Sequence, residues 1–124
     1  MLPTLFTYAF ALLLLAAGAY HFYNPAFYDP FMPDGFPKRL ANALGGLAEL
    51  IIGVLMLVPQ TRTLGLYQAA GLMVVFLPLH VIDLARERPV IGSKSIAVGR
   101  LLLQFGLIYG LYVLALTSSP ASPP

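Results

Sequence analysis

The chain has 124 residues, 59% of them hydrophobic and only 10% charged, with a mean hydropathy of +0.82; this is far too apolar for a soluble domain with one core and places the chain in a lipid bilayer. No cysteine is present, which excludes dithiol relays, disulfide staples and thiolate metal sites. The net charge of +2 comes from seven Lys and Arg dispersed between apolar segments, where they act as topology signals and offer no nucleic-acid surface.

Crossing a hydrocarbon layer of about 30 Å takes about 20 helical residues, and four segments reach that length, at 2–20, 40–58, 64–85 and 96–116. The fold class is therefore all-α: a polytopic membrane protein whose antiparallel four-helix bundle fills residues 1–116. The first segment, with "AFALLLLAAGA", resembles the apolar part of a signal peptide, but no Lys or Arg precedes it and it runs past signal length. It reads as a retained helix, closed by His21. The connection that follows holds Phe22, Tyr23, Phe27, Tyr28, Phe31 and Phe36 among prolines, the composition of a segment lying at headgroup level.

In the second segment Gly45, Glu49 and Gly53 recur at i, i+4 and i+8, so the glutamate lies on a glycine stripe that another helix can approach closely. Only "PQTRT" separates it from the third, a turn tight enough to force antiparallel neighbours; Arg62 there meets lipid phosphates or caps the turn. Inside the third segment Pro78 removes a backbone donor just before His80, and His80 and Asp83 are i,i+3 neighbours. Residues 86–95, "RERPVIGSKS", form a charged loop with Pro89 and Gly92 as breakers and Ser95 as candidate N-cap of the fourth helix. On that helix Arg100 and Gln104 share a face. Gly106 and Gly110 have GxxxG spacing, suited to an internal contact or a dimer seam. Tyr109 and Tyr112 read as belt aromatics, Met56 and Met73 as apolar fill. The Ser/Pro-rich tail at 117–124 is expected to be disordered.

Lys38, Arg39, Arg86, Arg88 and Lys94 fall in or beside connections one and three, whereas connection two carries only Arg62. The positive-inside rule then places connections one and three in the cytoplasm and both termini outside a cell or bacterial inner membrane. At about 1.5 Å per residue, Glu49 lies roughly 14 Å into its helix, Arg100 about 6 Å and Gln104 about 12 Å into theirs. Glu49, His80, Asp83, Arg100 and Gln104, with His21, thus fall in the cytoplasmic half of the bundle. Ionisable groups at that depth normally pair with one another or face a wet cavity.

Such a cluster has two main readings: a network that fixes helix register, or a polar pocket for a quinone or other amphipathic small molecule. His21, His80, Asp83 and Glu49 have ligand types that suit zinc or iron, but the Glu-x-x-His pair of di-iron bundles is missing, and neither a metal nor a bis-histidine haem is expected. No phosphate loop, nucleophile elbow or H-E-x-x-H occurs in the sequence.

The segments "GAYHFYNPAFY", "PDGFPKRLANALGGLAELIIGVLMLVPQTR" and "GRLLLQ" together resemble the DoxX-like family of small four-helix membrane proteins over nearly the whole chain. Gly18, His21, Phe22 and Pro25 match its G-x-x-H-F-x-x-P segment; Gly46, Glu49, Gly53, Pro59 and Arg62 match its second helix; Arg100, Leu101 and Gln104 match the start of its last. The chain departs from the family pattern in two places: Pro78-Leu79-His80-Val81 stands where many relatives have P-A-N-I, and Leu102 stands where they have Pro. The resemblance implies relatives among subunits of thiosulfate:quinone oxidoreductases and a similarity to an animal receptor-assembly chaperone. What it implies for this chain is an accessory or assembly subunit, not a self-sufficient enzyme, with a membrane protein partner or a second copy. The alternative is a quinone-linked oxidoreductase subunit.

Overall fold

The protein, as a computed structural model describing residues 1–118, is all-α, with no strand among the described residues. Four long helices follow in order: α1 (Leu2–Tyr23), α2 (Lys38–Leu57), α3 (Arg62–Ala85) and α4 (Lys94–Thr117). Each is long and apolar enough to cross a membrane, which is the architecture of a multi-pass membrane protein. Single turns of 3-10 helix at Pro25–Phe27 and Asp29–Phe31 shape the first connection, and one at Pro59–Thr61 shapes the second. Of the tail, Thr117 ends α4, and residues 119–124 lie outside the described residues.

The helices overrun the apolar stretches. α2, α3 and α4 begin on Lys38, Arg62 and Lys94, because a helix keeps its backbone hydrogen bonds as it passes into the headgroup layer, whatever the side chains. This moves the cap of α4. Ser93, in extended conformation, accepts from Ile96 N through its hydroxyl at 3.2 Å, so Ser93 and not Ser95 is the N-cap. Pro78 lies within a helix that runs unbroken from Arg62 to Ala85.

α1 packs on α2 and α3 on α4 most extensively, with α2 against α3 next. The apolar core sits at the end of the bundle nearest connection two, where Phe10, Leu14, Ile52, Met56, Leu66, Met73 and Leu111 interlock. Arg62 closes that end: it donates to the free carbonyls of Met56 and Leu57 at 2.9 and 3.0 Å and to the Tyr8 hydroxyl at 2.9 Å, its guanidinium lying over the Tyr8 ring. It caps the turn.

The α1–α2 seam depends on missing side chains. A Cβ on Gly46 would lie 2.8 Å from His21 Cβ and 3.0 Å from Gly18 O, and one on Gly53 would lie 2.9 Å from the Leu15 side chain. A Cβ on Gly45, beside them in sequence, would meet the His21 ring at an ordinary 3.7 Å, while one on Gly106 or Gly110 would point into open space with nothing within 4 Å. Gly46→Ala is accordingly expected to destabilise by about 1–3 kcal/mol through overpacking, and Gly106→Ala to stay within about 0.5 kcal/mol of the parent. Thermal unfolding in mild detergent measures both; equal behaviour of the two variants would contradict the seam.

Candidate functional site

At the other end of the bundle the polar side chains separate into two locks, one in each helical hairpin. In the first, α1 brings His21 against α2, where Asn42, Gly46, Glu49 and Gly53 repeat on the buried face. His21, Asn42 and Glu49 are 7%, 3% and 4% exposed. His21 Nδ1 lies 2.9 Å from Asn42 Oδ1, and His21 Nε2 lies 3.4 Å from Glu49 Oε1. The Asn42 amide donates in turn to Asp29 Oδ1 at 2.7 Å and to Pro25 O at 3.4 Å, which ties the first connection down onto α2. Tyr28 stacks on the His21 ring, centroids 3.5 Å apart, and donates to Ala17 O at 3.2 Å. Burial, and secondarily the Glu49 charge, push the Tyr28 phenol above its ordinary value.

The second lock centres on Asp83 in α3, which is fully buried. Arg100 of α4 donates to its Oδ2 at 2.9 Å and Arg86 to its Oδ1 at 3.1 Å, while Val90 N and Ile91 N of the third connection donate at 2.7 and 3.3 Å. Arg86 also reaches Pro30 O at 2.8 Å and Met32 O at 3.4 Å, so connections one and three meet at the same end of the bundle. Arg100 pairs with Asp83, and Glu49 with His21. Gln104 joins neither lock: its amide donates to Met73 O at 2.8 Å, one residue before the Val74 carbonyl that Pro78 leaves without its helical donor.

Between the hairpins lies a cavity of about 660 Å³, well inside the range of roughly 300–1,000 Å³ that small-molecule sites occupy. Leu44 and Ala48 of α2 and Leu72, Val75, Phe76 and Leu79 of α3 form its apolar walls, and Phe27, Tyr28, Phe31, Met32 and Phe36 of the first connection lie over it. Besides the Tyr28 phenol, four ionisable side chains reach its lining: His21, Glu49, His80 and Arg100. His80 is half-buried and makes no ion pair with Asp83, whose carboxylate is turned to α4 and the third connection. Glu49 Oε2 and Arg100 Nε are buried without a hydrogen-bond partner. Among the described residues no three His, Asp or Glu side chains converge on a point that would hold a metal ion. A smaller hollow of about 210 Å³ at the opposite end is lined by Thr4, Thr7, Tyr8 and Arg62, whose guanidinium is already engaged.

Of the residues singled out from the sequence, His21, Glu49, His80 and Arg100 share the cavity, Asp83 stands behind Arg100, and Gln104 lies deeper. Asn42 and Asp29 were not among them, and Tyr28 and Arg86 were read only as an interfacial aromatic and a topology charge. Asn42 had a readable signal, since it lies seven residues before Glu49 and therefore on the same helical face. Asp83→Leu would leave Arg100 without its carboxylate, take one acceptor from Arg86 and free two backbone donors at once, with an expected cost at or above the about 3–5 kcal/mol of a broken buried pair. Arg100→Leu should cost less, because Asp83 keeps three donors. Chemical or thermal unfolding of the two variants in detergent checks this; equal costs would mean that the cation alone holds the carboxylate.

A family model described as a domain of unknown function, DUF8561, matches residues 10–115, which include His21, Glu49, His80 and Arg100 of the cavity lining and both locks. Comparison with curated proteins and with solved structures finds no match for the chain. With most of its length covered by that model, the chain belongs to the DUF8561 family.

Proposed function

We propose that this protein is a DoxX-like accessory subunit of the cell membrane that binds an amphipathic small molecule, of the quinone class, in the cavity between its hairpins. One observation carries the reading: the cavity joins long apolar walls to a polar end where Glu49 Oε2 and Arg100 Nε have no partner in the protein. A buried donor or acceptor left unpaired costs about 1–3 kcal/mol, and a ligand headgroup would relieve both. The apolar walls of α2 and α3 suit an isoprenoid or acyl chain, and the aromatic first connection covers the headgroup end. A quinone or quinol would supply redox chemistry when bound; the residues of this chain would bind and orient it, with His80 and Arg100 as donors toward a ring oxygen.

The accessory role has its own support in α4. Gly106 and Gly110 leave a groove at GxxxG spacing that faces away from the bundle, a surface suited to a partner helix or a second copy.

Protein purified in mild detergent and extracted for mass spectrometry is expected to carry stoichiometric quinone or a related lipid, lost on Arg100→Ala. A fixed protein partner with no small molecule would replace the ligand reading with the assembly one. Orientation follows from the charges: Arg86 holds connections one and three together at the end that also carries Lys38, Arg39, Arg88 and Lys94, so that end is assigned to the cytoplasm and both termini to the outside. The chain has no cysteine, and a Lys94→Cys variant is expected to resist impermeant thiol reagents in intact cells and to react once the membrane is opened.

A further inference from the structure

The polar end of the cavity has a direction built into it, and the direction starts outside the cavity at the first connection. Asn42 Nδ2 faces two acceptors, Pro25 O at 3.4 Å and Asp29 Oδ1 at 2.7 Å. Pro25 O is a backbone carbonyl and only accepts, so the amide is fixed with its nitrogen toward the connection and its oxygen toward His21. At 2.9 Å from that oxygen, His21 Nδ1 must carry a proton and donate it. The stacked Tyr28 ring, 12° from coplanar with His21, keeps the imidazole from swinging away.

With Nδ1 protonated, only one proton is left to decide between His21 Nε2 and Glu49 Oε1, 3.4 Å apart. Either imidazolium donates to carboxylate, or the neutral carboxyl donates from Oε1 to the imidazole. A proton on Oε2 instead would set the Nε2 lone pair against the lone pairs of Oε1. In both permitted states Glu49 Oε2 is an acceptor. That oxygen is buried without a partner in a side chain that is 4% exposed and lines the cavity.

We infer that the cavity selects a headgroup that donates a hydrogen bond to Glu49 Oε2 while accepting one from Arg100, and hence that it holds the hydroxylated, reduced form of a quinone, the quinol, in preference to the quinone. This rests on the ligand class proposed above and adds the form of the ligand and the part of Asn42. A quinone has only carbonyl oxygens at its ring, and a carbonyl set against Glu49 Oε2 leaves two buried acceptors facing each other. A quinol hydroxyl donates to Glu49 Oε2, and its oxygens can still accept from the Arg100 Nε–H. Asn42 is a positioning residue here. It touches no ligand and acts by fixing the His21 tautomer, which fixes the polarity of Glu49.

The test compares decylubiquinol, kept reduced under anaerobic conditions, with decylubiquinone for binding to the full chain in detergent, separating bound from free and reading each form by its ultraviolet absorbance. The quinol is expected to bind at least about tenfold more tightly, since a site built to pair a ligand hydroxyl discriminates strongly against an analogue without it. Glu49→Gln, whose amide can donate to a carbonyl, should bring the two forms within about threefold of each other. Asn42→Ala, which frees His21 to exchange tautomers, should shrink the ratio as well; a purely structural role would weaken both forms together and leave the ratio alone. If Glu49→Gln does not fold, the wild-type ratio and Asn42→Ala still decide. Equal affinities, or tighter binding of the quinone, would overturn this inference and leave the ligand class standing. Failure of both forms to bind would overturn this inference and the ligand class together.

Discussion

A carboxylate buried at the depth of Asp83 cannot stand without compensation, and the way it is compensated organises one end of the molecule. Its two oxygens receive four donors from three parts of the chain: Arg86 at the end of its own helix, Val90 and Ile91 in the third connection, and Arg100 in α4. Removing an ion from water costs several kcal/mol even after relaxation, so the carboxylate is tolerated only when all these groups arrive together. Because Arg86 also binds Pro30 O and Met32 O, the same ion carries the first connection into place. That connection covers the cavity, and the cavity's roof thus depends on an aspartate that does not itself line it.

The second consequence is a division of labour between the hairpins. His21, Asn42 and Glu49 close α1 onto α2, Asp83 and Arg100 close α3 onto α4, and among the described residues no hydrogen bond or ion pair joins α2 to α3 at the cavity end. Apart from Arg86, which reaches the first connection at Pro30 O and Met32 O, these polar contacts stay within each hairpin and leave the α2–α3 seam to apolar side chains. At the opposite end that seam is filled by the core around Met56, Leu66 and Leu111 and closed by Arg62. At the cavity end it is open. The glycine crossing of α1 and α2 adds to the asymmetry, since Gly18 and Gly46 let the two backbones touch beside His21 and draw α1 close to α2 along the wall that carries Glu49.

The four helices were legible because crossing a bilayer demands length and apolarity, and both are written residue by residue. Depth was legible as well: a fixed rise per residue places Glu49, Asp83, Arg100 and His21 at one end. Rotation about the helix axis was not. From depth alone the six polar residues form a single cluster, whereas the azimuth of each helix, set by packing, gives Arg100 to Asp83 and Glu49 to His21 and sends Gln104 to Met73 O. The same gap explains the glycines. Gly45 and Gly46 are one residue and about 100° apart on a helix, and only the crossing with Gly18 shows which of them forms the seam. Asn42, two turns before Glu49, could have been found by following the buried face from Glu49 toward the start of the helix; Asp29 and Tyr28 could not, because a proline-interrupted connection carries no periodicity to follow.

A protein that needed its polar residues only to fix register would gain by satisfying all of them. Asp83 shows that this chain can do so, with both oxygens filled. Glu49, nearly as buried, is held by a single contact at 3.4 Å and has no partner for its other oxygen, while Arg100 commits one nitrogen to Asp83 and leaves Nε–H without a partner. Each such atom is a standing penalty, and both belong to side chains that line one hollow. The fold completes the shell of Asp83 with backbone and side-chain donors, whereas Glu49 Oε2 is left without a donor and Arg100 Nε–H without an acceptor. These gaps single out Glu49 and Arg100, both of which line the cavity, as side chains whose hydrogen bonding the rest of the described chain leaves incomplete.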